Sequence, residues 1–477
     1  MKKPLVLLAA LVLEIAGNCA GQGVSSLSYE DAREIVRAMD EVVPPELKGK
    51  SPETQAGIWP NWLAGLNSQI RKRLLQGDED TLINFLLFGA SYTRQPRLGP
   101  ADFKPAEKQP PADPKSPWSL FPSRTRQILG ARMEDFIRAL ADSKSNERLL
   151  FFRSLVVQKG FPPGGAAESA RIQNYLEMSL IRVLKESAEI ASSLEAARKL
   201  GDASAEFAER STLFRERGLS LDTSLPPDFA LEESLVELKE KKLVGPGSVR
   251  RVAIIGPGLD FIDKDAGYDF YPPQILQPFA VIDSLVRLGL ARPESVDLTT
   301  LDVSPRIIEH LQRARQRAVQ GNPYTVQLTR SVPVAWSPGY LRFWENFGNQ
   351  LGRPAPAPTQ AIAPSEAILR AVSIRPDVVL RIHPMDLNIV TQHMTLPAAE
   401  RFDLIIATNI FVYYDVFPQS LALANVGKML RPGGLLLSNN ALLELPFSPI
   451  HSIGYKTVAY SNRPSDGDTI VWYLRAK

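Results

Sequence analysis

The residues of this 477-residue chain whose types and spacing could do chemistry lie in its C-terminal half. Val252-Ala253-Ile254-Ile255 is an apolar run of the buried-strand type, and it ends in Gly256-Pro257-Gly258. Glycines let a backbone turn sharply and approach a ligand closely, and in parallel sheets ligands sit beyond the carboxyl ends of the strands. A dinucleotide fingerprint asks for a third glycine three residues after the second, and that position holds Phe261. The following loop sets Asp260, Asp263, Asp265 and Asp269 against Lys264. Facing a site, such a loop repels a pyrophosphate and tolerates a cationic ligand. A second apolar run, 295–301, ends in Asp302. A carboxylate there can accept hydrogen bonds from both hydroxyls of a ribose. Its other reading is a helix cap ahead of Pro305, a task Ser304 can also perform.

The elements that must position these residues alternate between short apolar strands and helices. That pattern predicts a parallel sheet covered by helices on both faces. A crossover helix is expected over 272–288 and strands over 378–382, 402–409 and 435–438. The last strand follows the turn Leu430-Arg431-Pro432-Gly433-Gly434, and 456–461 with 469–475 reads as a terminal hairpin. An insertion, 322–364, carries Trp336, Tyr340, Phe343, Trp344 and Phe347, either as a lid over a ligand or as a helix packed on the domain edge.

Upstream of residue 245 the periodicity is helical, over 29–43 (with Ser28 as a cap), 62–75, 81–88, 124–141, 147–158, 166–200 and 228–242. A proline-rich linker, 95–122, interrupts it. This predicts an all-α N-terminal domain, 28–244, ahead of an α/β domain, 249–477, with no catalytic constellation in the helical half. A net charge of +3 gives no whole-chain argument for nucleic-acid binding. The single cysteine, Cys19, excludes an intramolecular disulfide, and the scattered His310, His383, His393 and His451 lack metal-ligand spacing. Lys2-Lys3 followed by the apolar run 5–13 and small residues forms a signal-like leader over 1–21, too short for a spanning helix. It predicts an exported or membrane-tethered protein; the alternative is a plain apolar helix on a cytoplasmic one.

Taken in order, strand-Gly-x-Gly, Leu301-Asp302-Val303-Ser304-Pro305, Phe402-Asp403-Leu404-Ile405-Ile406-Ala407-Thr408-Asn409 and Leu430-Arg431-Pro432-Gly433-Gly434 resemble class I S-adenosylmethionine-dependent methyltransferases over 249–477. The stretch 403–415 is most similar to chemotaxis-receptor glutamate methyltransferases. The resemblance implies a Rossmann-like, doubly wound, seven-stranded sheet that ends in an antiparallel pair. It implies S-adenosyl-L-methionine as cofactor, with Gly256 and Gly258 near its methionine part and Asp260 at the third-glycine position. Asp302 would hold the ribose, with Val303 also against the cofactor, Asp386 and Leu387 would contact the adenine, and Asn409 would stand beside the transferred methyl. Tyr413, Tyr414 and Asp415 would border the acceptor and supply a base. Two positions depart from the family: Ile254 replaces a frequent acid, and Asp260 a glycine. The expected function is methyl transfer to an O or N acceptor, a small molecule or a protein. The alternatives are an exported, inactive protein of this fold, or an interaction module run by the helical half.

Overall fold

The computed structural model describes residues 23–103, 121–143, 146–199, 218–262, 268–358, 366–463 and 466–476. The leader with Cys19, most of the proline-rich linker, and Asp263 and Asp265 lie outside the described residues.

The described chain begins with strand β1 (Gly23–Ser26). Helices follow: α1 (Tyr29–Ala38), α2 (Pro52–Phe88), α3 (Ser123–Ala141), α4 (Glu147–Gln158), α5 (Ala166–Lys199) and α6 (Pro226–Glu240). Ser28 caps α1 as its sequence predicts, accepting the Asp31 N–H at 3.2 Å. The two helices expected over 62–75 and 81–88 are one element, α2, which continues through Gly77. That glycine does not break the helix; it admits a crossing chain, since a Cβ there would lie 1.9 Å from the Leu219 carbonyl oxygen.

The C-terminal half runs β2 (Arg251–Ile255), α7 (Gln277–Arg287), β3 (Asp297–Asp302), α8 (Pro305–Val319), β4 (Tyr324–Ser331), α9 (Pro338–Asn346), β5 (Gly352–Ala355) and β6 (Ala367–Ile374). It continues with α10 (Pro376–Val379), β7 (Ile382–Asp386), β8 (Gln392–Thr395), β9 (Phe402–Ala407), α11 (Val416–Met429), β10 (Leu430–Ser438), β11 (Ile450–Ala459) and β12 (Gly467–Arg475). Seven strands form the main sheet in the order β11-β12-β10-β9-β2-β3-β7. β7, β3, β2, β9 and β10 are parallel, and β12 and β11 close the sheet as an antiparallel pair. This is a doubly wound, Rossmann-like sheet. Its strand order reverses beside β2, and the crevice at that switch point is where such sheets bind ligands. Val252, Ala253 and Ile254 are fully buried, as a strand covered on both faces requires.

Three expectations need correction. The strand expected at 378–382 is helix α10, and β7 follows it. Pro376 opens the helical turn and Val378 and Val379 bury it; a short apolar run alone does not separate strand from helix. The insertion is a three-stranded antiparallel sheet, β4-β6-β5, with α9 against it. Its Phe343, Trp344 and Phe347 are buried, so they pack as core. The N-terminal half is not all-α: β1 pairs antiparallel with β8 of the other half. One continuous hydrophobic core runs from Leu27 to Tyr473, so helices and sheet share an interior.

Candidate active site

The carboxyl ends of β2, β3 and β7 are tied into one floor. The Gly256 N–H donates to the Leu301 carbonyl at 2.8 Å, and the Leu387 N–H to the Asp302 carbonyl at 3.0 Å. Gly256 (φ 63°) and Gly258 (φ 68°) turn in the left-handed region, where a side chain is strained. Above this floor lies a cleft lined by Gly256, Gly258, Asp302, Val303, Leu387, Tyr413 and Tyr414 of the residues singled out from sequence. No lysine, arginine or histidine is among the described residues that line it.

Asp302 is 5% exposed and accepts the Ser304 N–H at 2.8 Å. Burial pushes its carboxyl up to about 7, against the pull of the Ser304 and Val303 backbone hydrogen bonds. Tyr414 is buried, and desolvation pushes its phenol well above the usual range, so it stays neutral. It stands as a wall of the cleft. Gln419, which the sequence did not single out, pins this wall by donating to the Phe411 and Tyr414 carbonyls at 2.9 and 2.8 Å.

The other predicted residues lie outside the cleft. Asp260 faces a neighbouring cavity and accepts from the Tyr271 hydroxyl and Gln274 Nε2. Asp386 is exposed and paired with Arg71 of α2 at 2.5 Å. Asn409 has φ 57° and is exposed; it exchanges two 2.7 Å hydrogen bonds with Asn439, through its own N–H and through Asn439 Nδ2. Asp415 stands at the N-cap of α11 without a side-chain capping bond. Asp269 accepts the Ala90 and Ser91 N–H groups, so it fastens the end of α2.

The roof comes from the helical half. Leu74 of α2 lines the cleft, and Arg73 Nη1 donates to the Tyr413 carbonyl at 2.8 Å. The segment 219–223 crosses beneath α2 as a strap. The Leu219 N–H donates to the Arg73 carbonyl, the Leu259 N–H to the Leu221 carbonyl, and the Thr223 N–H to the Leu259 carbonyl. A Cβ on Gly258 would lie 2.7 Å from Thr223 Cβ, and one on Gly256 would lie 2.1 Å from Ile410 Cδ1. The chain's own atoms therefore occupy the space against the glycine turn. The free volume in the cleft is about 50 Å³, against roughly 300–1,000 Å³ for a typical small-molecule site. Nothing local in α2 signals this role, because the contact partners are remote in sequence.

No family model and no curated protein matches this chain. Solved structures similar to it include the N-methyltransferase NodS from Bradyrhizobium japonicum WM9, at 16% identity over 52% of this chain and 95% of that one, with a TM-score of 0.25. Magnesium protoporphyrin IX methyltransferase (ChlM) from Synechocystis PCC 6803 with bound SAM is 10% identical over 58% of this chain and 86% of its own, with a TM-score of 0.25. The glycopeptide N-methyltransferase MtfA complexed with S-adenosyl-L-homocysteine is 10% identical over 52% and 89%, with a TM-score of 0.26. At such TM-scores the Rossmann-like assignment rests on the strand order and directions of the sheet itself.

Proposed function

We propose that this chain is an S-adenosyl-L-methionine-dependent methyltransferase acting on an O or N acceptor. The observation that carries the reading is the cleft's donor set. A buried carboxylate, Asp302, stands beside a left-handed glycine turn at the switch point, and no basic side chain is among the described lining residues. That set suits a neutral ribose diol and a sulfonium, and it offers a pyrophosphate no cationic side chain among the described lining residues. Asp302 would hold the ribose, and Val303 and Leu387 would flank the adenine. Gly256 and Gly258 would face the methionine part.

When bound, this cofactor supplies an electrophilic methyl group. The chain's residues orient and exclude water: Tyr413, Tyr414 and Ile410 wall the transfer region. The methionine side is held by Ile410 and the 219–223 strap, so cofactor binding displaces them. The same closure is what a cofactor-free protein of this fold would show. As part of this reading, the 1–21 leader tethers the enzyme on the cytosolic face of a membrane, where the cofactor is made. Among the described residues no helix is long and apolar enough to cross a membrane.

A thermal-shift measurement on the full chain tests the proposal. S-adenosylhomocysteine should raise the melting temperature, and Asp302→Ala should remove the rise. No rise in the unmodified chain at millimolar ligand overturns the enzyme reading in favour of the cofactor-free one.

A further inference from the structure

We propose that the cavity between α2 and the β1-β8 pair binds an uncharged peptide segment in extended form. The site does not draw on the cofactor reading. Its free volume is about 390 Å³, inside the range of roughly 300–1,000 Å³ for a ligand site. No charged residue is among the described residues that line it. A segment carrying charges would lose its hydration there without gaining a partner.

Asn388, which is fully buried, sets the chemistry of one end. The Val390 N–H donates to Asn388 Oδ1 at 3.1 Å, so Asn388 Nδ2 is the donor of that amide. Asn388 Nδ2 donates to Asn67 Oδ1 at 2.9 Å, and the Asn388 N–H donates to Gln392 Oε1 at 3.0 Å. A backbone N–H can only donate, so both acceptor oxygens are fixed and both NH₂ groups are turned away from Asn388. Arg71 Nε donates to the same Asn67 Oδ1 at 3.4 Å, and the rest of its guanidinium goes to Asp386 and the Val303 carbonyl. Asn67 and Gln392 both line the cavity, and among the described residues neither NH₂ group has a hydrogen-bond partner. Thr391, next to Gln392, is 2% exposed and also lines it. Its N–H donates to the Asn388 carbonyl, its own carbonyl accepts the Leu27 N–H, and its buried Oγ1 has no partner.

The other end supplies an acceptor. Pro60 stands inside α2 and has no N–H for the Ala56 carbonyl, and both residues line the cavity. From Ala56 to Asn67 the helix rises about 16 Å, the length of roughly five extended residues. Leu63 and Ala64 lie between them along the same wall. Neutral donors at one end, a main-chain acceptor at the other and apolar surface between them suit a peptide backbone. An acyl chain would leave the Ala56 carbonyl without a donor. A sugar would find no open indole face, because Trp59 is 2% exposed and packed by the Tyr29 and Trp62 rings at 5.8 and 5.0 Å.

The experiment titrates the full chain by calorimetry with acetyl-Ala-Thr-Ala-Thr-Ala-amide, with acetyl-Ala-Asp-Ala-Asp-Ala-amide and with maltose. The uncharged peptide should bind at one saturable site, the acidic one at least about tenfold more weakly, and maltose not at all. Asn67→Asp and Gln392→Glu each keep the oxygen that accepts from Asn388 and replace the NH₂ donor with an acceptor. Each should weaken the uncharged peptide about tenfold and leave the melting temperature little changed. Pro60→Ala gives the Ala56 carbonyl a helical N–H, so it should raise the melting temperature and weaken the peptide. Ala64→Phe, at an exposed helix position, should fill the groove and abolish binding, and it serves should an amide variant not fold. No saturable binding of the uncharged peptide, an unchanged affinity in both amide variants, or binding of maltose in its place overturns the proposal.

Discussion

Asp302 is one of several carboxyls whose burial raises their proton affinity: Asp302 and Asp228 to about 7, and Asp78 and Asp283 to about 6. In the unfolded chain these groups ionise at ordinary carboxylate pH. Between about pH 4 and 7 the folded state therefore holds more protons, and stability falls as pH rises through that window. Asp302→Asn should raise the melting temperature at pH 8 and do little below pH 4. Ligand binding should run the opposite way. A diol donates to the ionised carboxylate, so cofactor affinity should climb as pH passes about 7 and then level off. A pH-independent affinity would remove Asp302 from the ribose site. At the glycine turn, Gly256→Ala should cost about 1–2 kcal/mol from its left-handed backbone alone, plus the clash with Ile410 Cδ1. Ile410→Ala should relieve the clash in the double variant, and by itself it should tighten cofactor binding. Denaturant titration and calorimetry read the two effects. The glycines and Asp302 were legible because each stands at or just past the carboxyl end of its strand. Gln419 was not, because its task is a bond to backbone carbonyls that no spacing announces.

Among the elements, those with local signals were legible. Ser28 announced α1, Pro305 announced α8, and the apolar runs announced β2 and β9. Elements shaped by distant neighbours were not. α2 is continuous because Gly77 sits where the strap's backbone passes, and α10 replaces a strand because its single turn is buried. Gly77→Ala should therefore be among the most destabilising single changes, since the 1.9 Å contact is with backbone and cannot be relieved by a rotamer. By contrast, Arg71→Ala breaks a pair that is 30% and 55% exposed, and should change stability by less than about 1 kcal/mol. Urea unfolding of the two variants distinguishes them. Equal effects would show that the backbone at the strap crossing yields to a methyl group.

Over the whole molecule, the helical half forms part of the site. α2 and the strap roof the cleft, Arg71 and Arg73 reach Asp386 and the Tyr413 carbonyl, and β1 is sewn to β8. The sheet's order was foreseeable from motifs that follow one another along the chain. The roof was not, because helical periodicity says which face is apolar and not what that face meets. On the proposed function, recognition, closure and transfer belong to one body with a shared core, and cofactor binding is an event in which the strap and Ile410 give way. The measurement closest to this claim is isothermal titration of S-adenosylhomocysteine into the full chain beside its Asp302→Ala variant. One saturable site in the first and none in the second is the predicted result. A flat titration of the unmodified chain at millimolar ligand, or an unchanged affinity in Asp302→Ala, would contradict it.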